Sequence, residues 1–260
     1  FRFIKGKTMD GIDKILTKLT KKIIKNLPKG TESMGTFKIL EIKQGVFDDN
    51  NQQADLLREK LKEQKTFLLN LMSSPGAGKT TTLTGVINEL KTDMKIGVME
   101  ADIDSDVDAR TIEKTGAKVI QLHTGGMCHL DAEMTKQGIE ALESDDLDLV
   151  ILENVGNLVC PAEFDTGATM SAMILSVPEG DDKPLKYPLM FSIVDVVFVN
   201  KTDVMEYFDF DMEKLKDRVA KLNPKARVIP YSAKTGEGIK DIADWIKNEM
   251  KLRSIISEKE

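Results

Sequence analysis

An α/β fold, a mainly parallel sheet with helices on both faces, is what this sequence predicts, and three observations carry that expectation. Short apolar runs recur along the chain, separated by longer stretches with helical spacing. A glycine-containing turn follows the first core run and opens directly into a helix. The 260 residues, 41% hydrophobic and 31% charged, are enough to bury one sizeable core. Alternating β and α elements favour parallel pairing, and such sheets bind ligands at the carboxyl ends of their strands.

The elements follow in order. Residues 1 to 30 carry Arg2 and eight lysines against Asp10 and Asp13, a net of +7 in a chain whose total is −6. Ile12, Ile15, Leu16, Leu19, Ile23, Ile24 and Leu27 mark one helix face, and Pro28-Lys29-Gly30 stops it. Residues 1–33 therefore read as a basic amphipathic extension, packed on its own domain or docked on a membrane surface or partner. Met34 precedes a strand-like Thr36–Leu40, and a charged helix from Leu56 to Gln64 leads into the apolar run Phe67–Met72. Further strands are expected at Ile96–Met99, Val119–Leu122, Leu147–Leu152, Val194–Val199 and Val228–Tyr231. Residues 34–250 read as one domain and 251–260 as a charged, frayed tail.

Composition excludes several classes. A net negative charge argues against nucleic-acid binding, which needs a basic field. Apolar runs such as Met170–Val177 fall far short of the roughly 20 residues that span a bilayer. No positively charged start leads into an apolar signal core, so Cys128 and Cys160 are expected to be reduced thiols of a cytoplasmic protein.

Ser73-Ser74-Pro75-Gly76-Ala77-Gly78-Lys79-Thr80 stands between the first core strand and a helix expected to begin near Thr81, the context of a phosphate-binding loop. Gly76 and Gly78 let backbone N–H groups converge on phosphate oxygens, with Ala77, Thr80 and Thr81 in the same cradle. Lys79 reaches the terminal phosphates, and the Thr80 hydroxyl is placed to hold Mg²⁺. Ser73 replaces the usual first glycine of the loop. The base is read elsewhere. Asn200-Lys201-Thr202-Asp203 follows another core strand, where the Asp203 carboxylate can accept both N–H donors of guanine, a pair that adenine lacks. Asn200 can brace the base loops, and the stem of Lys201 can lie over the purine. Taken alone, these four residues read equally well as a strand-end turn. Ser232-Ala233-Lys234, after the next strand, adds a backbone N–H suited to the guanine O6 and points to GTP and GDP.

These three motifs resemble the GTPases, and Pro75–Thr81 looks like the SIMIBI branch, which includes signal-recognition and metal-insertion GTPases. Gly126-Met127-Cys128-His129-Leu130-Asp131-Ala132, Glu153–Ala162 and Glu179-Gly180-Asp181-Asp182-Lys183 are similar to the HypB family, the nickel-incorporation GTPases of hydrogenase maturation. The resemblance runs from about Phe37 to Met250. It implies a GTP-hydrolysing metallochaperone for Ni²⁺ or Zn²⁺ that passes nickel to a [NiFe] hydrogenase large subunit, with a HypA-like nickel-delivery partner. It departs at the N-terminus: residues 1 to 70 contain neither Cys nor His, so no metal-binding stretch is expected there.

Independently of the family, Cys128, His129 and Cys160 offer two thiolates and an imidazole, a set that suits Zn²⁺ or Ni²⁺ better than Mg²⁺. Taken alone, small buried cysteines beside a satisfied histidine explain the same residues. Three ligands leave one position open, for water or a residue of a second chain, and a GTP-dependent homodimer is expected. His123 reads as structural. Cys160 lies seven residues after Glu153, and Glu153-Asn154-Val155-Gly156 occupies the strand end where GTPases sense the γ-phosphate. Glu153 and Asp102 are the expected carboxylates near Mg²⁺ and the attacking water, with Asp104 and Asp106 as competitors. Lys79, Asp102 and Glu153 form the expected catalytic set. A GTP-dependent docking switch with no functional metal is the competing interpretation.

Overall fold

The structure, a computed structural model, describes residues 38–41, 49–102, 107–143 and 146–256. The expected basic helix at 1–33, Met34, Asp104 and Asp106 lie outside them.

Strands and helices alternate: β1 Lys38–Glu41, α1 Asn50–Glu63, β2 Phe67–Ser73, α2 Lys79–Leu90, β3 Ile96–Asp102, α3 Val107–Glu113, β4 Lys118–His123, α4 Ala132–Ala141 and β5 Leu149–Glu153. The chain continues through α5 Cys160–Glu163, β6 Met170–Ser176, α6 Lys183–Lys186, α7 Pro188–Ile193, β7 Val196–Asn200, α8 Met212–Leu222, β8 Arg227–Pro230 and α9 Ile239–Leu252. Among the described residues all pairings are parallel, in the order β1-β4-β3-β5-β2-β6-β7-β8. From β2 the chain builds outward through β3 and β4, returns to flank β2 with β5, then crosses to its other side with β6. That reversal opens a crevice at the carboxyl end of β2, where ligands of open α/β sheets bind.

β6 is the strand that apolar runs did not mark as such. Met170–Ser176 contains one β-branched residue, Ile174, which weakens its local signal. Its place is settled by pairing, with β2 on one side and β7 on the other.

All seven residues of β2 are buried. Phe67, Leu69 and Leu71 join a cluster with Leu83, Val86 and Ile87 of α2 and Ile242, Trp245 and Ile246 of α9. Leu68 faces the other layer, with Leu57 and Leu61 of α1 and Met134 of α4. This period-two split covers the sheet on both faces. The ring of Phe198 meets Tyr231 and Trp245 edge-on, with centroids 6.4 and 5.7 Å apart, which fixes Tyr231 beneath the nucleotide end of the sheet.

The carboxyl-terminal tail starts later than expected. α9 runs to Leu252, the Ile255 N–H bonds the Met250 carbonyl at 3.0 Å, and Ile255 and Ile256 pack on the core. Burial of the two isoleucines outweighs the charged composition around them.

Candidate functional site

The phosphate loop turns between Ser73, at the end of β2, and Lys79, where α2 begins two residues earlier than expected. Gly76 and Gly78 take φ of +72° and +99°. Space matters at Gly78 as well: a Cβ there would stand 2.5 Å from Asn200 Nδ2. As the residue preceding α2, Gly78 offers no side chain to the first-turn N–H groups, which leaves that turn suited to an anion. Thr80 is half-buried at this point and Thr81 exposed.

Ser73, at the place of the expected first glycine, holds the lysine. Its hydroxyl donates to the Ser74 carbonyl at 2.7 Å and accepts from Lys79 Nζ at 3.0 Å. Lys79 Nζ also lies 4.0 Å from Glu153 Oε1, and that carboxylate is almost wholly buried. Glu153 closes β5, and across the sheet it stands in register with Glu100 of β3, which is also buried. Sequence reading missed Glu100, because it lies within an apolar strand and no motif marks it. Asp102 ends β3, with its backbone in register with His123 of β4; the Asp102 side chain lies outside the described part.

Asn200 ties the nucleotide loops together. From the end of β7 its Nδ2 donates to the Ala77 carbonyl at 2.8 Å. Its Oδ1 accepts from the N–H of Lys201 at 2.7 Å and of Ala233 at 3.0 Å. Lys201, at φ +66°, sends its ammonium to the Gly76 carbonyl at 2.9 Å, so its stem bridges the base loop and the phosphate loop. Asp203 Oδ1 accepts from the Ser232 hydroxyl at 2.7 Å, and Ser232 Oγ in turn accepts from the Thr235 N–H at 3.2 Å. Lys234 is exposed. One residue before Ser232, the buried Tyr231 hydroxyl sits 2.7 Å from Thr82 Oγ1. The Thr82 hydroxyl gives its one proton to the Gly78 carbonyl at 2.7 Å, so the phenol is the donor. Burial raises the Tyr231 pKa.

Two loops carry the thiols and the imidazole. The first begins with Gly125 and Gly126 at positive φ and ends where Asp131 caps α4 by accepting the Met134 N–H at 2.8 Å. The second, between Glu153 and Cys160, is fastened at its start. Asn154 is fully buried, donates to Asn70 Oδ1 of β2 at 3.1 Å and accepts from its neighbour Val155. Gly156 lies against Pro75, whose backbone N would be 3.4 Å from an added Cβ. Farther along, Val159 is half exposed. His129 is buried and stacks on Phe164 with ring centroids 3.6 Å apart. Burial lowers its pKa against the pull of Asp131 and Glu163. Its Nδ1 is 3.9 Å from Cys128 Sγ. The Cys160 thiol is pushed up by the Cys128 thiol near it and by burial. Among the described residues, no three His, Cys, Asp or Glu side chains converge closely enough to hold a metal ion. The chain brings the two thiols together and keeps the imidazole beside them, its ring held by Phe164.

Residues 67–230 match the family model described as CobW/HypB/UreG, nucleotide-binding domain. The chain is 43% identical over 216 residues to hydrogenase maturation factor HypB of Azotobacter chroococcum mcd 1, covering 83% of this chain and 71% of the relative. It is 42% identical over 216 residues to the HypB of Escherichia coli (strain K12), covering 83% and 74%. Among solved structures it resembles HypB from Helicobacter pylori in complex with nickel, with a TM-score of 0.75 and 36% identity over 82% of this chain and 99% of that one. HypB from Archaeoglobus fulgidus gives a TM-score of 0.73 and 35% identity over 78% and 100%.

The Asn200→Ala variant deprives the buried Ala77 carbonyl and the Ala233 N–H of their shared partner, at about 1–3 kcal/mol for each group left unpaired. Its chemical denaturation should show a loss of at least the size of one such group together with weakened GDP binding. Parent-like stability and GDP affinity would mean that the loops hold without it.

Proposed function

The chain belongs to the CobW/HypB/UreG family of nucleotide-binding proteins, in its HypB branch, and we propose that it is a GTP-hydrolysing metallochaperone that carries nickel during hydrogenase maturation. The observation that supports this reading most is the segment from Glu153 to Cys160. At one end its carboxylate stands 4.0 Å from the phosphate-loop lysine, and at the other its thiol meets Cys128. Nucleotide state and cargo ligand thus share eight residues of chain.

In this account α2 and Gly76–Thr81 cradle the phosphates, and Lys79, released from Ser73, meets the terminal ones. Asp203 accepts the two guanine N–H donors with the lone pairs that Ser232 leaves. Because the Ala233 N–H is engaged by Asn200, the next amide, that of Lys234, is assigned to O6. The Thr80 hydroxyl and the carboxylates of Glu153 and Asp102 are hard oxygen donors that fit Mg²⁺. A Mg²⁺ ion bound by these donors would supply charge neutralisation on the phosphates. Phosphoryl transfer then depends on positioning, Lys79 and Glu153 setting the two ends of the reacting group.

Nickel, or zinc in its place, is cargo. Cys128 and Cys160 supply thiolates and His129 a neutral imidazole, which its lowered pKa favours. Two thiols and one imidazole leave the coordination sphere open, so a second copy of the chain completes or shares it in a GTP-dependent two-fold dimer. A nickel-delivery protein of the HypA kind and the hydrogenase large subunit are the proposed donor and recipient. The relatives named hydrogenase maturation factor and the nickel complex of the Helicobacter pylori protein support this assignment.

Asp203→Asn replaces an acceptor with a donor facing the guanine N–H pair. GTP binding should weaken by roughly 1.5–3 kcal/mol, with a shift toward xanthosine triphosphate. Retained preference for GTP in competition binding would remove the base-recognition assignment.

Cys128→Ser and Cys160→Ser should each lose most bound nickel, read as metal content after gel filtration, while GTP binding survives. Nickel affinity of the parent should rise with pH, because the metal must displace the proton that the raised pKa of Cys160 retains. Full nickel stoichiometry in the double variant would place the ligands elsewhere and favour the docking switch without a cargo metal.

A further inference from the structure

Outside every nucleotide motif, one side chain bonds the chain just after each of the two loops that carry the thiols and the imidazole. Asn50 is the first residue of α1 and is half-buried. Its Oδ1 accepts the backbone N–H of Ala132 at 2.9 Å, and its Nδ2 donates to the carbonyl of Asp165 at 3.0 Å. Donor meets acceptor at both ends, which determines the orientation of the carboxamide. Ala132 opens α4 three residues after His129. Asp165 follows Phe164, the ring on which His129 stacks, and lies five residues after Cys160.

The helix that presents Asn50 is a firm base. Ala54, Leu57 and Leu61 bury one face of α1. Farther along it, Arg58 grips the second loop again: Nε donates to the Ala168 carbonyl at 3.1 Å, and the guanidinium pairs with Asp165. Between these two grips Gly167 takes φ +73° against α1, where a Cβ would stand 2.8 Å from Leu57 Cδ2. The chain after Cys160 is thus laid on α1, and the chain after His129 is bonded to the same residue that begins it.

We propose that Asn50 is a positioning residue for the cargo-metal site, its carboxamide setting the distance between the Cys128–His129 loop and the Cys160 segment. Groups that fix the ligands of a metal govern its affinity because they determine how much the ligands must reorganise to bind. Asn50 does this through backbone atoms of Ala132 and Asp165, which follow the two loops, and its own atoms stay off the metal. The inference rests on the cargo reading above.

Titration of the full chain with Ni²⁺ alone tests it, reading affinity and the thiolate-to-nickel charge-transfer absorption. Asn50→Ala removes both bonds. Asn50→Asp keeps an acceptor for Ala132 but sets a carboxylate oxygen against the Asp165 carbonyl. Both should weaken nickel by about tenfold or more and alter the absorption, as loss of outer-shell support does, with affinity for a GTP analogue unchanged. Parent-like nickel affinity and absorption in Asn50→Ala would overturn the proposal. So would a loss of nickel no larger than a parallel loss of nucleotide, which marks general destabilisation. Undiminished nickel in Cys128→Ser and Cys160→Ser removes the cargo site itself, an outcome distinguishable from failure at Asn50 alone.

Discussion

Asn200 stands buried at the carboxyl end of β7, and its hydrogen bonds reach a carbonyl 123 residues earlier in the chain and an N–H 33 residues later. A single hydrogen bond contributes only about 0.5–1.5 kcal/mol net. The consequence here is geometric. The Gly76–Gly78 loop, the Asn200–Asp203 turn and the Ser232–Lys234 turn grow from three different strands, and one amide group holds them together. Gly78 is required by the same contact, since a side chain there would displace the Asn200 amide. Tyr231 and Thr82 repeat the tie one layer down, joining β8 to the first turn of α2.

Around this fixed frame the segment from Glu153 to Cys160 divides in two. Its first half is fastened to β2 through Asn154 and Asn70, and Gly156 lies against Pro75 of the phosphate loop. Its second half carries the half-exposed Val159 and the Cys160 thiol. On the proposed function, a change at the γ-phosphate position acts first on the buried half and reaches Cys160 through the other, the order–disorder mode of GTPase switching. α1 braces the chain just after both thiol-bearing loops, at Ala132 and at Asp165 to Ala168.

Local signals in the sequence were sufficient for the phosphate loop, the Asn200–Asp203 turn and Ser232–Lys234, since each lies on contiguous residues directly after an apolar run. The bracing role of Asn200 was legible too. Less was visible where function is assembled across the fold. β6 carries few β-branched residues, and only its pairing between β2 and β7 makes it a central strand. Ser73 reads as a departure from a glycine motif until its hydroxyl is seen to hold Lys79. Asn50, Glu100 and Phe164 lie in unremarked helix, strand and loop: the partners of Asn50 are 82 and 115 residues away, Glu100 faces a neighbouring strand, and Phe164 stacks on a ring in a different loop. The two cysteines were expected to share a site with His129. The fold keeps the imidazole beside Cys128 and stacks its ring on Phe164, a contact no spacing rule encodes.

Linkage supplies the decisive check: if the proposed nucleotide and nickel sites communicate through the 153–160 segment, each ligand alters the affinity of the other by the same factor. Nickel affinity of the full chain is to be measured by titration with GDP bound and again with a non-hydrolysable GTP analogue. The account predicts that the two values differ by roughly 5- to 150-fold, a coupling of about 1–3 kcal/mol. Equal nickel affinity in the two nucleotide states would contradict it.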